Sequence, residues 1–302
     1  MTSWNTDEWQ PRRAANLERV AHLADAFVQR RSRAEKHPVH DFLFTYYNFS
    51  PAKLKQWLPP LGVWIVVEEA DLAAMPWLQT APIIRQDQCL RLDVRALRPQ
   101  TQDLARWISR LCRSIQERPP RFRCFGLHEW AMVYQQTAEE IRHHGFELRM
   151  PAADLAAFLE SQVLCCSHYD AYRFFTPGAL PMNQWQPVLE TRLEMEQGGC
   201  LHANMDLYKW SSKLWPWIGS DLIGECFAHA CAGRELDMRA SPYDLRHLGY
   251  EPILIETPEG RAQYEKEQRQ LADAAFPLRQ RLLVTSEAIA CCITNGESEK
   301  VE

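Results

Sequence analysis

Apolar residues recur at the helical spacing of three to four positions along most of the chain. In residues 14–35 the stripe includes Val20 and Ala24, and in residues 101–117 it includes Leu104 and Ile108. Both patterns predict amphipathic helices. Further helices are predicted over 50–57, with Ser50 as N-cap and Pro51 at the first position, over 151–161, 184–197, 200–214 and 220–233, and from Thr257 to beyond Leu271.

Short strands are predicted where β-branched residues cluster or where apolar and polar residues alternate. Residues 62–67, "GVWIVV", fit the first pattern, and residues 89–97, "CLRLDVRAL", fit the second. Residues 121–135 are ambiguous between an extended segment and a helix that begins at Glu129. Together the elements predict an α+β fold dominated by helices, with a few short strands. We expect one compact domain over 14–290, an N-terminal tail over 1–13 and a polar C-terminal tail over 291–302.

Composition narrows the class of protein. The chain has 302 residues, of which 46% are hydrophobic and 11% aromatic, and this excludes a disordered protein. A formal net charge of −5 argues against a strongly basic nucleic-acid scaffold, although it leaves a local basic groove open. No apolar run approaches the roughly 18–20 residues of a membrane span, and no export signal is visible. We therefore expect a cytoplasmic protein with reduced cysteines and no membrane partner.

The segment "CLHANMDLYKW", residues 200–210, concentrates side chains that can carry a proton, a charge or a metal. On a helix, His202, Asp206 and Lys209 fall on one narrow stripe. Such a stripe suits a buried structural network, an acid/base pair or a pair of metal ligands. Three further histidines also have a carboxylate close by in sequence and aromatic neighbours. These pairs are His40–Asp41, His128–Glu129 and His168–Asp170. Their recurrence predicts that the pairs line one polar pocket.

Several common motifs are absent. The chain contains no GxGxxG, no P-loop and no GxSxG, so nothing favours a dinucleotide site, a phosphate-binding loop or a serine nucleophile elbow. Glu140 and His143 have the E-x-x-H spacing of di-iron helices. A di-iron site needs this motif twice, and the chain has only an approximate second match. We expect the vicinal pair Cys165–Cys166 to be structural.

Six blocks of the chain resemble a bacterial family. The blocks are "HPVHDFLFTYY", "FGLHEWAMVY", "SHYDAYRFFTP", "GCLHANMDLYKW", "LDMRASPYDL" and "PILIETPEGRAQY". They are similar to proteins labelled 3-methyladenine DNA glycosylase, over roughly residues 37–275. The resemblance implies a DNA-repair enzyme that hydrolyses the N-glycosidic bond of an alkylated purine in damaged DNA and requires no cofactor.

The chemistry of that reaction suggests residues for each role. A carboxylate must stabilise the oxocarbenium-like sugar or activate water, and we assign Asp206 first and Glu129 second, with His202 orienting the water. An aromatic pocket must hold the flipped cationic base. Candidates for the pocket are Trp130, Tyr134, Phe174, Phe175, Tyr208 and Trp210. Candidates for phosphate contacts are Lys209, Arg173 and Arg239, which are equally suited to pairing with these acids.

Two alternatives remain open. A pocket of histidines and carboxylates also suits a metal-dependent enzyme that acts on a small molecule. Its divalent metal would be held by His128, His168 and His202, with Asp170, Glu129 or Asp206 completing the ligands. The second alternative is a non-catalytic binding module whose polar networks are purely structural. The sequence predicts no oligomeric state.

Overall fold

Helices dominate the chain, as the hydrophobic periodicity predicts. The structure, a computed structural model, describes residues 2–137, 140–141 and 146–292, and 58% of it is helical, beside one small mixed sheet. The helix-dominated α+β class is therefore confirmed. The α-helices of the described residues are α1 (Thr6–Ser32), α2 (Asp41–Thr45), α3 (Pro51–Lys55), α4 (Glu69–Ala74), α5 (Pro99–Glu117), α6 (Leu127–Ala131), α7 (Ala152–Glu160), α8 (Tyr169–Tyr172), α9 (Arg192–Met195), α10 (Leu201–Lys213), α11 (Ser220–Ala240) and α12 (Pro258–Ala290).

The sheet contains four short strands. They are β1 (Thr2–Trp4), β2 (Val63–Val66), β3 (Ile83–Gln86) and β4 (Cys89–Leu92). Their order is β1-β2-β4-β3, with β1 parallel to β2 and the other neighbours antiparallel. The strand predicted over 62–67 is confirmed as β2. The strand predicted over 89–97 is too long, because the Asp93 side chain accepts a hydrogen bond from the Arg95 N–H and starts a 3₁₀ turn.

Residues 2–13, predicted as a tail, are part of the fold. They form β1 and the first turns of α1, which begins eight residues before the predicted start. Asn5 and Glu8 close a reciprocal capping box at that start. The indole N–H of the buried Trp9 donates to the Val66 carbonyl at 2.7 Å. A single anchoring tryptophan gives no periodicity, so the sequence pattern missed this part of the helix.

The helix predicted over 184–197 is also wrong. In that range only α9 is an α-helix, because Pro187 has no N–H to donate and disrupts the preceding turn. Of the polar tail predicted over 291–302, residues 293–302 lie outside the described residues. Within the described part of the chain, no helix combines the length and apolar character needed to cross a bilayer.

The chain divides into two compact units. Unit 1 consists of Met1–Cys112, Leu207–Ala228 and Leu278–Glu302, and unit 2 of Arg113–Asp206 and His229–Pro277. The whole sheet belongs to unit 1, where its inner face packs on a core that includes Trp57 and Ile65. Unit 2 contains α6 to α9. That one domain forms, and that it ends at residue 290, stay predictions.

Candidate active site

Three histidines that are distant in sequence meet inside unit 2. The rings of His128 and His202 lie edge to face with centroids 4.4 Å apart, and the His168 ring lies 5.5 Å from that of His202. All three side chains are buried. His128 lies on α6, His202 on α10, and His168 directly before α8. Three of the four predicted histidine–acid pairs therefore come together.

The fourth pair, His40–Asp41, belongs to unit 1. There the Asp41 carboxylate forms an ion pair with Arg30, at 2.6 Å. The backbone N–H of His37 also donates to Asp41, at 2.8 Å. This pair serves as a local structural contact at the start of α2.

Asp237, on α11, is the carboxylate that contacts His128. Its Oδ1 lies 2.6 Å from His128 Nε2, and both side chains are almost completely buried. Because a carboxylate only accepts hydrogen bonds, Nε2 carries the proton and Nδ1 of the neutral ring is the acceptor. The guanidinium of Arg234 donates to the second oxygen of Asp237 and to Glu129 Oε1, each at 2.7 Å. Two carboxylates and one guanidinium thus fix the orientation of the imidazole.

The other ring nitrogen of His128, Nδ1, faces a cysteine. Cys124 Sγ lies 3.5 Å from it, within hydrogen-bond reach for sulfur. The turn between these two residues has positive φ at both Phe125 (46°) and Gly126 (72°). It is closed by a hydrogen bond from the Leu127 N–H to the Cys124 carbonyl, at 2.9 Å. A positive φ at Phe125 costs about 1–3 kcal/mol, and strain of this kind is typical of functional sites.

Charge is distributed unevenly over the cluster. Burial opposes protonation of His128, but the Asp237 carboxylate outweighs it and raises the pKa of His128 above its usual 6.5. Burial would raise the pKa of Asp237, but His128 and Arg234 hold that pKa well below its usual range. Burial and the neighbouring His128 lower the pKa of His202 to about 3. His202 is therefore neutral at physiological pH. Burial raises the pKa of Cys124, so its resting state is the thiol.

A second buried network lies behind His202. His168 Nε2 is 3.3 Å from Asp206 Oδ2 and 3.6 Å from Glu196 Oε1. Arg192 pairs with Glu196 at 2.9 Å and also with Asp170. Asp206 and Glu129, the two predicted catalytic carboxylates, therefore both contact buried cationic or histidine side chains.

A cavity of about 1010 Å³ opens onto this cluster within unit 2. His128 and His202 line it, whereas His168, Asp206 and Glu129 are not among the described lining residues. Four cysteines line it: Cys124, Cys165, Cys166 and Cys200. None of the ten cysteines forms a disulfide bond. The cavity is large enough for a substrate or cofactor.

A metal ion is one conceivable occupant of the cluster. Ligand atoms of His128, His202 and Asp237 lie within 4.8 Å of one another. However, two tetrahedral ligands at about 2.1 Å from one ion are about 3.4 Å apart, whereas His128 Nε2 and Asp237 Oδ1 are 2.6 Å apart and hydrogen-bonded. With that bond in place these two atoms do not both fit one ion. The predicted divalent metal stays a prediction. Of the Glu140–His143 motif, His143 lies outside the described residues.

The predicted base pocket does not coincide with this cavity. No predicted aromatic residue is among the described residues that line it. Within unit 2, the Trp130 indole donates to the Ala240 carbonyl at 2.9 Å and Tyr134 donates to Glu160 at 2.7 Å. Phe174 lies under the Arg173 guanidinium, at 4.4 Å. The base-binding role of these side chains stays a prediction.

The predicted phosphate-binding cations have carboxylate or aromatic partners. Arg173 is 3.2 Å from Asp170, and Arg239 is 2.9 Å from Glu267. In unit 1, Lys209 lies over the ring of its neighbour Trp210, at 4.6 Å. The Tyr208 ring, also in unit 1, packs edge to face on Tyr47 and Phe227.

Sequence reasoning assigned no role to two members of the site, Cys124 and Asp237. The Cys124-x-x-x-His128 spacing was visible, but nothing in it distinguished this cysteine from the other nine. Asp237 lies 109 residues beyond His128, and no local pattern connects them. Comparison of the chain with models of known protein families, with curated protein sequences and with solved structures finds no match. The resemblance to the 3-methyladenine DNA glycosylase family stays a prediction.

Proposed function

We propose that unit 2 is a thiol-dependent acyl-transfer enzyme, with Cys124 as nucleophile, His128 as general base and Asp237 as the carboxylate that orients the base. The observation that supports this function is the continuous hydrogen-bond line from Cys124 Sγ through both ring nitrogens of His128 to Asp237. A nucleophile within reach of a base, which is itself oriented by a third group, is the arrangement that activates thiols and hydroxyls in many enzymes.

The reaction follows from the tautomer of His128. Nδ1 takes the proton of the Cys124 thiol while Sγ forms a bond to the carbonyl carbon of the substrate. The protonated ring then returns that proton to the leaving group as the carbon–leaving-group bond breaks, and an acyl-thioester remains. Water, deprotonated by the same Nδ1, hydrolyses the thioester and restores the thiol. Asp237 accepts from Nε2–H throughout and stabilises the transient imidazolium.

His202 supplies a further group to this reaction. It lines the cavity next to His128, and its pKa of about 3 keeps it uncharged. A neutral imidazole donates a hydrogen bond to a carbonyl oxygen on which negative charge develops, and it does not compete with His128 for the thiol proton. We assign this donor role to His202.

Acylation of the protein by p-nitrophenyl acetate tests the proposal. We expect a burst of one p-nitrophenolate per chain and an acyl group that peptide mass spectrometry locates on Cys124. Cys124→Ser should abolish the burst. Cys165→Ser is the matched control, because Cys165 lines the same cavity and is also partly exposed. An acyl group on Cys165, or an unchanged burst in Cys124→Ser, would contradict the assignment.

A further inference from the structure

The cavity of unit 2 is positively charged, although the chain as a whole has a net charge of −5. Its lining contains four arginines, Arg121, Arg123, Arg261 and Arg269. Glu265 is the only carboxylate among the described lining residues, and it already accepts two hydrogen bonds from Arg269. Arg121 and Arg123 form no ion pair with a carboxylate of the described residues. An excess of cationic groups in a cleft attracts anions.

Three of these arginines lie over aromatic rings that also line the cavity. Their guanidinium carbons are 4.0–5.4 Å from the ring centroids. The pairs are Arg121 over Trp185, Arg261 over Phe125 and Arg269 over Phe122. A guanidinium that lies over a ring keeps its N–H groups at its edge, where they bind phosphate or carboxylate in a bidentate manner. Arg261 already donates to the Ile255 carbonyl and to Gln162, and Arg269 to Glu265. Within the described residues the Arg121 guanidinium makes no such hydrogen bond, so the Arg121–Trp185 pair combines aromatic surface with available anion donors.

The segment that carries Arg121 is held firmly. The buried side chain of Gln197 accepts from the Arg121 N–H at 2.8 Å and donates to the Arg121 carbonyl at 3.2 Å. Gly199 packs against the same residue so closely that a Cβ there would lie 2.5 Å from the Arg121 carbonyl oxygen. Gln268 in turn donates to the Gly199 carbonyl at 2.7 Å. Such anchoring fixes the backbone of Arg121, three residues before Cys124.

Two buried polar atoms among the lining residues have no partner. The Tyr264 hydroxyl and Gln268 Oε1 make no hydrogen bond within the described chain, and their side chains are 0% and 1% exposed. An unsatisfied buried polar group costs about 1–3 kcal/mol. A ligand with both an acceptor and a donor would satisfy the hydroxyl and the amide oxygen.

We infer that the cavity binds a planar heteroaromatic anion, with its phosphate or carboxylate at Arg121 and Arg123 and its ring in contact with Tyr264 and Gln268. The ligand is a nucleotide-like small molecule with a ring that carries both donors and acceptors, and it lies within reach of the Cys124 thiol. A volume of about 1010 Å³ accommodates a molecule of that size. This inference rests on the proposed function only in treating the ligand as the substrate of Cys124.

Isothermal titration calorimetry with simple probes tests the inference. AMP carries the ring and the phosphate, adenosine lacks the phosphate, and ribose 5-phosphate lacks the ring. Orotate replaces the phosphate with a carboxylate. We expect AMP or orotate to bind at least tenfold more tightly than adenosine and ribose 5-phosphate, and the tighter of the two identifies the anionic group.

Variants locate the binding site. Arg121→Gln/Arg123→Gln should weaken binding of the tighter anion at least tenfold, and Tyr264→Phe about fivefold. Arg98→Gln/Arg110→Gln removes the same charge from exposed positions of unit 1 and should leave the affinity unchanged. The inference would be overturned if neither AMP nor orotate binds more tightly than adenosine and ribose 5-phosphate, if neither binds at millimolar concentration, or if the Arg121/Arg123 variant keeps full affinity for the tighter anion.

Anion titration and the acylation burst, each measured on the wild type and on Cys124→Ser, separate this inference from the proposed function. If anions bind but Cys124→Ser retains the acylation burst, the thiol mechanism fails and the binding site stands. If Cys124 is acylated but no anion binds, the mechanism stands and the ligand class is wrong.

Discussion

Nε2 of His128 lies 2.6 Å from Oδ1 of Asp237, and the two residues are separated by 109 positions in the sequence. This contact defines which nitrogen of the imidazole is protonated. It therefore also defines that Nδ1, the atom facing Cys124, is available as a base. The chemistry that we propose for the cavity depends on this one hydrogen bond.

Asp237→Asn should preserve the shape of the site but prevent His128 from acting as a base. An asparagine that donates to Nε2 forces the proton onto Nδ1, where it cannot accept the thiol proton. We expect acylation of Cys124 to slow by about a hundredfold or more. In the wild type the rate should rise as pH increases through a His128 pKa above 6.5, and the variant should lose this inflection. Stopped-flow release of p-nitrophenolate between pH 5 and 9 measures both effects.

The control for that variant is Asp244→Asn. Asp244 belongs to the same unit but pairs with Arg246 on the surface, so neither the rate nor its pH dependence should change. The Asp237 variant should also unfold more easily, by about 3 kcal/mol, because the buried Arg234 loses one of its two carboxylates. Acylation at the wild-type rate in folded Asp237→Asn protein would eliminate the orienting role.

His202 should make unit 2 sensitive to acid. Its pKa is about 3 in the folded chain, compared with an ordinary 6.5, so below pH 6.5 the unfolded chain binds a proton that the folded chain does not. The native state therefore loses stability as pH falls, by about 3 kcal/mol between pH 6.5 and pH 4. His202→Gln should remove this loss, as measured by urea unfolding at each pH. The exposed His247→Gln is the control, and an acid-side slope that His202→Gln leaves unchanged would contradict the neutral state of His202.

Two adjacent glycines offer a matched test of the anchored segment. A Cβ at Gly199 would lie 2.5 Å from the Arg121 carbonyl oxygen, whereas one at Gly198 would lie 3.9 Å from the Ile115 carbonyl oxygen. We expect Gly199→Ala to cost about 1–3 kcal/mol of unfolding free energy, because the backbone of Arg121 must shift. It should also slow Cys124 acylation. Gly198→Ala should change neither quantity. Equal stability and equal acylation rates in the two variants would show that the position of the Arg121 segment does not affect the site.

Chelation should leave the acyl-transfer activity unchanged. One oxygen of Asp237 is hydrogen-bonded to His128 and the other to Arg234, so both oxygens have protein partners without a metal ion. We expect the burst to be the same before and after dialysis against EDTA. The predicted metal-dependent enzyme would instead be supported if dialysis abolishes the burst and one added metal restores it. The same metal should then fail to restore the burst in His128→Ala or His202→Ala.

Asp206→Asn distinguishes the predicted base excision from thiol chemistry. Asp206 is 1% exposed and lies against His168. We expect the variant to lose about 3 kcal/mol of stability but to keep Cys124 acylation. Release of an alkylated base from methylated duplex DNA is the readout for the excision reaction. If the wild type and Cys124→Ser release the base and folded Asp206→Asn does not, the excision prediction is supported and our assignment fails.

The helices that the sequence predicted well are those with a long amphipathic pattern. The range 101–117 corresponds to α5 and the range 200–214 to α10, because a helix buries its apolar stripe wherever it packs. The predictions failed where a single residue decides the local structure and the periodicity of the segment does not. Trp9 anchors the start of α1, and Pro187 disrupts the helix expected over 184–197. The strand β3 was missed because its Ile83 and Ile84 are adjacent and do not alternate with polar residues.

The sequence by itself determined which residues carry reactive groups, and the recurrence of histidines beside acids predicted one shared pocket for four such pairs. The structure brings His128, His168 and His202 together, whereas the His40–Asp41 pair belongs to unit 1. Only the tertiary structure decided the partners. It paired His128 with Asp237 instead of with its neighbour Glu129, and it left Asp206 outside the lining of the cavity. A helical stripe specifies which side chains share a face, but the atom that a side chain contacts depends on the packing of segments about a hundred residues apart.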